Sequence, residues 1–269
     1  MSSWEEYLDI QAPGVKITCK NVRAGDPSDS DVAEIWKKAQ TVNGAVFKDG
    51  NAVGVIQVKV GKANKNGEVT VSGTITGLDG KKLTTKRSKV EVDGETATAT
   101  LTVRDGTTAT VTVGNDGVSG SWNGAEIKVA DVGGNWSKDG AKVYVDATSA
   151  SLPAGTLETL WPYGETVLAK GGKWAFNKAA TVKLSKDKTS AEWDSSKGKT
   201  NLSGLKLTYT PKTGLFKGSF NVYAIEDGYN GKKLKKYKAS VTGAVVDGQG
   251  YGQASIKSTA ASPWAVTVE

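Results

Sequence analysis

The sequence predicts an all-β protein: two related antiparallel β-units, built as sandwiches or open barrels and closely packed, with a small helical segment at the N-terminus. Three observations carry this. From Ala45 onward apolar residues recur with a period of two, the spacing of a strand with one buried face. Asp-Gly occurs eight times and Asn-Gly four times, mostly between alternating segments. Both dipeptides favour the positive φ angles of tight hairpin turns. Finally, the chain repeats itself. GKKLTTKRSKVEVDGETATATLTV (80–103) and GKKLKKYKASVTGAVVDGQGYGQASIK (231–257) both open on Gly-Lys-Lys-Leu, pass Val-Asp-Gly, and close on alternating small and apolar residues.

Residues 1–41 differ from the rest. DPSDSDVAEIWKKAQ reads as a short helix, capped by Ser28, Asp29 or Ser30, with Lys37 and Lys38 toward its end. Val32, Ile35, Trp36 and Ala39 share a face expected to dock on a sheet. The cluster Asp26, Asp29 and Asp31 lacks the glycine and distant glutamate of an EF-hand loop, so capping is the preferred reading over Ca²⁺ binding.

The first β-unit is assigned to 42–136. When Gly67 is aligned with Gly214, EVTVSGTITG (68–77) lies on LFKGSFNVYA (215–224). Val69, Val71, Gly73 and Ile75 then match Phe216, Gly218, Phe220 and Val222 on an inward face. EDGYN is inserted in the second copy before Gly-Lys-Lys-Leu. Because Gly73 stands where Phe220 stands, a large side chain is expected above Gly73, from Trp36, Trp122 or Trp136. Two copies about 150 residues apart are too few for a propeller or solenoid.

The second unit is assigned to 137–269, including an aromatic connecting segment. Ala141–Val145 and Thr181–Leu184 read as strands, and SLPAGTLETLWPYGE as a structured loop or short helical turn. No Ser- or Pro-rich linker separates the copies, which predicts a tightly abutting or interleaved pair rather than independent beads. GQGYG (248–252) is followed by neither helix nor Lys-Ser/Thr and reads as a turn or bulge.

In the second copy, GGKWAFNKAATVKLSKDK, SSKGKTNLSGLKLTYTPKTGLFKGSFNVYA, KLKKYKASVTGAVVDGQGYGQASI and the terminal PWAVTVE resemble a paired β-module found near the C-termini of large bacterial secreted or surface proteins. The resemblance covers roughly 45–269. It implies an extracellular location and a paired β-architecture, and it carries over no catalytic residue. MSSWEEYLDI has no apolar signal core, which fits either a cytosolic protein or one whose signal is absent from this chain; with the resemblance, the expectation is the second, a secreted or surface protein.

Composition excludes much chemistry. Histidine is absent, which removes Ser-His-Asp and Cys-His catalysis and imidazole-ligated zinc. The single cysteine, Cys19, permits no internal disulfide and reads as a buried strand residue. The chain has no long apolar run that would span a membrane. Its formal net charge is +7, with a local cluster at Lys232, Lys233, Lys235, Lys236 and Lys238. A polyanion could use that cluster. The plainer reading is a solvated hairpin whose lysines block edge-to-edge association.

Two sets of residues are candidates for function. Trp161, Tyr163 and Trp193, with Glu158 and Glu165, have the ring-plus-carboxylate chemistry of a sugar site. The competing role for the tryptophans is to plug the seam between units, and alternation in GGKWAF points Trp174 and Phe176 together into a core. Glu158 with Glu165, or Asp146 with Glu158, offers a carboxylate pair of the type glycosidases use. No local motif marks a Lys–Asn or Lys–Asp isopeptide trio. The expected function is a non-enzymatic extracellular or cell-surface module that binds a partner or positions a larger protein. The alternative is a carbohydrate-binding or carbohydrate-acting protein. A glycan or another surface protein is the expected partner, with no specific nucleic acid, no cofactor and no metal.

Overall fold

Alternating Val, Thr and Gly segments leave the chain few ways to bury its apolar face other than curling a sheet around it. The structure, a computed structural model, describes residues 32–133, 136, 141–146, 152–167, 169–170, 173–175, 180–193, 201–257 and 263–269. It contains two curled antiparallel sheets packed together.

The first sheet is a meander of β1 (Gln40–Lys48), β2 (Asn51–Val60), β3 (Glu68–Gly77), β4 (Lys82–Thr84), β5 (Ser88–Glu91), β6 (Ala97–Thr102), β7 (Thr108–Gly114), β8 (Gly117–Trp122) and β9 (Ala125–Val129). β9 returns to pair with β1. At the other end β4 and β5 share the edge of β3. The circuit closes there through a Thr85–Val103 bridge, with Lys86 N donating to Thr102 O at 3.0 Å and Arg104 N to Thr84 O at 3.1 Å. The interior is filled by small apolar side chains, among them Val58, Val71, Ile75, Leu101 and Val111.

The second sheet contains β10 (Ala141–Asp146), β11 (Glu165–Val167), β12 (Ala169–Lys170) and β13 (Lys173–Ala175). It continues through β16 (Lys206–Thr210), β17 (Leu215–Gly228), β18 (Gly231–Val246), β19 (Gln249–Ile256) and β20 (Trp264–Val268). β14 (Val182–Leu184) and β15 (Ala191–Trp193) form a separate hairpin. β20 pairs with β10, β10 with β11, and β12 with β13, so the segment 165–170 joins the two ends of this sheet. Its core is aromatic, with Trp136, Trp174, Trp264, Phe216 and Phe220.

The two circuits superimpose in strand order once the repeat is used as the anchor. β3 corresponds to β17, β4 with β5 to β18, β6 to β19 and β7 to β20. Continuing round, β8 corresponds to β10, β9 to β11–β12, β1 to β13 and β2 to β16. In the first sheet β7 runs directly into β8; in the second β10, the counterpart of β8, precedes all the other strands, and β20, the counterpart of β7, follows them. The second unit is therefore a circular permutation of the first. The opened ends lie side by side, with Lys142 N donating to Glu269 O at 2.7 Å and Glu269 N to Lys142 O at 2.9 Å.

The inserted EDGYN lengthens the β17–β18 hairpin beyond its counterpart and leaves Tyr229 fully exposed at the tip. Turns 49–50, 123–124 and 247–248 have both residues at positive φ, as two-residue hairpins require. Asn43–Gly44 is a correction to the turn reading, because it lies inside β1. A Cβ at Gly44 would strike the Lys128 carbonyl, and Asn43 donates to Thr213 O in the other unit at 3.1 Å.

Of the predicted N-terminal helix, the described residues contain only a 3-10 turn, Glu34–Trp36, with Trp36 buried against the first core. Its caps Ser28, Asp29 and Ser30, the acidic cluster Asp26, Asp29 and Asp31, Cys19 and Phe176 lie outside the described residues. The space above Gly73 is also a correction. It is filled by Leu101 and Thr85, each 3.5 Å from a Cβ at that position, and not by a tryptophan.

The units meet through the outward side chains of β1 and the end of β18. Ala45, Phe47 and Val246 form a small shared core flanked by Ala52 and Tyr251. Asp131 fastens its edge by accepting the backbone N–H groups of Asp247 at 3.2 Å and Gly248 at 2.7 Å.

Candidate functional site

The connecting segment after β10 folds over the end of the second sheet opposite its Val-Asp-Gly turn. Leu157 N donates to Tyr223 O at 2.8 Å, Ile225 N to Gly155 O at 2.9 Å, and Gly164 N to Val143 O at 2.8 Å. The first two bonds extend the β17 edge before the 3-10 turn Glu158–Leu160, and the third ties the chain after that turn to β10. Leu160 is buried, and Trp161 sits on the core with its ring 5.1 Å from Trp264 and 5.9 Å from Phe220. Trp161 is thus a plug on one core, half-buried, and its Nε1 has no hydrogen-bond partner among the described residues. Trp174 is fully buried in the same core.

The other candidate residues separate. Trp193 lies 40% exposed on the β14–β15 hairpin, opposite Val182. Glu158 is exposed in its 3-10 turn. Glu165 begins β11 and is largely removed from water, which pushes its carboxyl up to about 7; the Ser203 hydroxyl, donating at 3.2 Å, and the backbone N–H groups of Ser203 and Leu202 work in the opposite direction. Ser203 itself is fully buried beside Asn201, whose amide bonds both the N–H and the carbonyl of Leu205. Glu165 is therefore integrated into a structural corner.

Tyr163 alone of the candidate rings stands well into solvent, at 68% exposure, with its ring edge-on to Tyr144 at 5.1 Å. Both line a cleft of about 750 Å³ between the two units. Its other walls include Asn51 and Leu78 from the first unit and Gln249, Tyr251 and Thr267 from the second. Tyr251 is held by an edge contact with Phe47 at 5.1 Å and by donating its hydroxyl to Gln249 Oε1 at 2.7 Å. Asp146 is the sole carboxylate among the residues lining this cleft. Neither Glu158, Glu165, Trp161 nor Trp193 lines it.

Of the residues that line this cleft, the sequence reading names Tyr163 and Asp146 but not Tyr144, Tyr251, Asn51 or Gln249. Alternation in AKVYVD does turn Tyr144 away from the core residues Val143 and Val145. The pairing of residues near 50 with residues near 250 has no local signal. Among the described residues no group of three or more Cys, Asp or Glu side chains has the arrangement of a metal site. No helix there is long and apolar enough to cross a membrane. No family model, curated protein sequence or solved structure matches the chain at a significant level.

Proposed function

We propose that this protein is a non-enzymatic extracellular or cell-surface module that binds carbohydrate in the cleft between its two units. The observation that carries the reading is the exposed Tyr163 ring, set against Tyr144 in a cleft whose remaining polar groups are mainly amides and hydroxyls. Tyrosine offers an apolar face to a sugar ring and a hydroxyl to its edge. Asn51, Gln249 and Thr267 supply donors and acceptors of the kind that fix sugar hydroxyls.

Binding is favoured over hydrolysis because glycosidases flank the scissile bond with two carboxyl groups. This cleft is lined by one, Asp146. The raised carboxyl of Glu165 is the property of a general acid, but it arises in the corner with Ser203, apart from the cleft.

A glycan array of the intact protein, followed by titration calorimetry on the best ligand, tests the proposal. Tyr163→Ala removes the exposed ring without touching either core. It is expected to weaken binding at least tenfold, roughly the loss of one good ring contact. No glycan bound, or a Tyr163→Ala variant of unchanged affinity, overturns the reading.

A further inference from the structure

The lysine cluster that stands out in the sequence is partly neutralised in the fold. Lys232 is ion-paired with Asp227 at 2.7 Å and Lys235 with Glu226 at 3.2 Å. The remaining lysines of β18 belong to a different and larger feature, assembled by strand register.

Trp174, Leu207, Phe216, Phe220, Ala239 and Ala254 point into the second core. Their neighbours along each strand therefore point outward. One cross-strand row on this outer face reads Lys173, Thr208, Lys217, Thr242 and Gln253. The next reads Lys206, Ser219, Ser240 and Ser255. Beyond it Lys238 lies opposite Asn221 and Lys236 opposite Tyr223. Lys257 comes directly after the end of β19 on the same face.

Strands lie about 4.8 Å apart and same-face residues about 6.8 Å apart along a strand, so Lys173, Lys206 and Lys217 stand roughly 8–10 Å from one another, Lys236, Lys238 and Lys257 roughly 5–8 Å, and the two groups are separated by about 12 Å between Lys206 and Lys238. Lys173, Lys206, Lys217, Lys236, Lys238 and Lys257 are all exposed. None of them forms an ion pair among the described residues. The sole carboxylate on the outward positions of these strands is Asp227, at the far tip and already paired with Lys232.

The lattice runs into a second inter-unit groove, of about 480 Å³. Lys217 lines it from the second unit and Lys82 from the first, and its lining holds no carboxylate. Threonine hydroxyls of Thr76, Thr210 and Thr242 and the apolar side chains of Leu78 and Leu215 complete the walls. The two lysine-bearing walls belong to different units, so the groove exists only in the packed pair.

We propose that this face and groove bind an acidic polysaccharide, a chain carrying carboxylate or sulfate groups, at a site distinct from the Tyr163 cleft, with which it shares only Leu78 as a wall. Two clusters of ammonium groups on one face, without ion-pair partners among the described residues, suit a polymer that carries an anionic group on each repeat. Serine and threonine hydroxyls between them suit its neutral hydroxyls, and the leucines suit the apolar faces of its rings. Single-stranded nucleic acid would call for exposed aromatic platforms. The aromatic among these lysine rows, Tyr223, is 6% exposed. The outward positions carry no arginine for bidentate phosphate contacts. A membrane surface would call for fully exposed apolar side chains projecting among the lysines to enter the lipid; here Leu78 and Leu215 lie inside the groove and the outward pair Ile225 and Leu234 is half-buried.

The test uses the full chain with polygalacturonate and dextran sulfate as probes. Neutral dextran, a short DNA duplex and phosphatidylserine vesicles serve as comparison ligands. The wild type is expected to bind at least one acidic polysaccharide, more weakly as salt rises, and to prefer it to all three comparison ligands. A triple variant, Lys206→Ala, Lys217→Ala and Lys238→Ala, is expected to lose roughly tenfold or more in affinity. A control triple, Lys59→Ala, Lys62→Ala and Lys65→Ala, removes the same charge from the first unit and should change affinity less than about twofold. Lys82→Glu, on the opposite groove wall, should weaken binding as well. Tyr163→Ala should leave it unchanged, which separates this site from the proposed cleft. Absence of acidic polysaccharide binding, DNA or vesicles bound as tightly, or an equal loss in the control triple overturns the proposal. Melting curves of both triples establish that they remain folded, as is expected for exposed side chains.

Discussion

The indole of Trp136 donates its Nε1–H to the carbonyl of Gly248 at 2.8 Å, in the Val-Asp-Gly turn of the second unit. Trp36 makes the same bond to Gly94 at 2.9 Å, in the Val-Asp-Gly turn of the first. Each tryptophan enters from the chain preceding its own sheet. The next strand is not the same in the two units: it is β1 after Trp36, and β10, the counterpart of β8, after Trp136. The permutation reordered the strands and kept an indole beside the same turn. A curled sheet is open at its ends, and an indole closes one with apolar area while its N–H occupies a turn carbonyl. Trp136 also packs against Trp174, with ring centroids 4.0 Å apart and planes tilted by 46°, and contacts Tyr209 and Phe216.

Truncating this plug should be costly. Trp136→Phe removes the hydrogen bond and leaves a carbonyl unpaired, for about 1–3 kcal/mol. Trp136→Ala adds a cavity and should cost about 3–5 kcal/mol. Urea denaturation of the full chain measures both. Equal stability of wild type and Trp136→Ala would show that the indole closes nothing.

Two glycines on inward positions should respond in opposite ways to an added methyl. At Gly73 the new Cβ meets Leu101 and Thr85 at 3.5 Å, an ordinary contact. Gly73→Ala is expected to be neutral or to stabilise by up to about 1 kcal/mol, through a less flexible unfolded chain. At Gly243 the new Cβ collides with the ring of Phe216 and the carbonyl of Tyr251. Gly243→Ala should destabilise by about 1–3 kcal/mol. Phe220→Ala, at the position matching Gly73, should cost about 3–5 kcal/mol. Thermal melts that rank these variants differently would contradict the inward register of β17 and β18.

The strands and most of their turns were legible because period-two alternation and Asp-Gly or Asn-Gly are local signals, and local steric rules produce them. Asn43–Gly44 defeated the same rule: its glycine serves close strand approach to Lys128, and its asparagine serves the other unit. The aligned copies 68–103 and 215–257 were visible. The permutation was not, since β8 and β10 are short and their equivalence rests on hydrogen-bonded neighbours. For the same reason Tyr163 was recognisable as a candidate ring while its companions Tyr144 and Tyr251 were not. The lysine lattice was hidden more deeply. Lys173, Lys206 and Lys217 are scattered in sequence and meet only through register, whereas the conspicuous run 232–238 is partly ion-paired.

The position of Trp136 and Asp131 makes the coupling of the units testable by where the chain is cut. A fragment 137–269 lacks the indole that fills its own core and the carboxylate that binds the N–H groups of Asp247 and Gly248. It should aggregate or fail to fold. A fragment 131–269 regains both and should be measurably more structured. In the intact chain Asp131→Ala should cost about 1–3 kcal/mol, since it leaves two N–H groups without their acceptor. The wild type should melt in one transition. Calorimetry showing two independent transitions, together with a well-folded 137–269 fragment, would make the units separate beads.

Stability should also depend on pH through Glu165. Burial disfavours its charged form and pushes its carboxyl up to about 7, from an ordinary value of 4.5. In the pH range between those values the folded protein holds a proton there that the unfolded chain has released. Stability therefore falls as pH rises across that range. The contribution is fully present below about 4.5 and lost once pH passes about 7. A shift of that size corresponds to about 3 kcal/mol at most, and because the side chain retains some contact with water the observable effect should be nearer 1–2 kcal/mol. Glu165→Gln keeps the shape and the Ser203 contact but carries no charge. It should flatten this part of the stability profile and raise the Tm at pH 8 relative to wild type, with little difference at pH 4.5. Parallel profiles for the two proteins between pH 4.5 and 8 would show that Glu165 titrates as an ordinary surface carboxylate and that the Ser203 corner admits water freely.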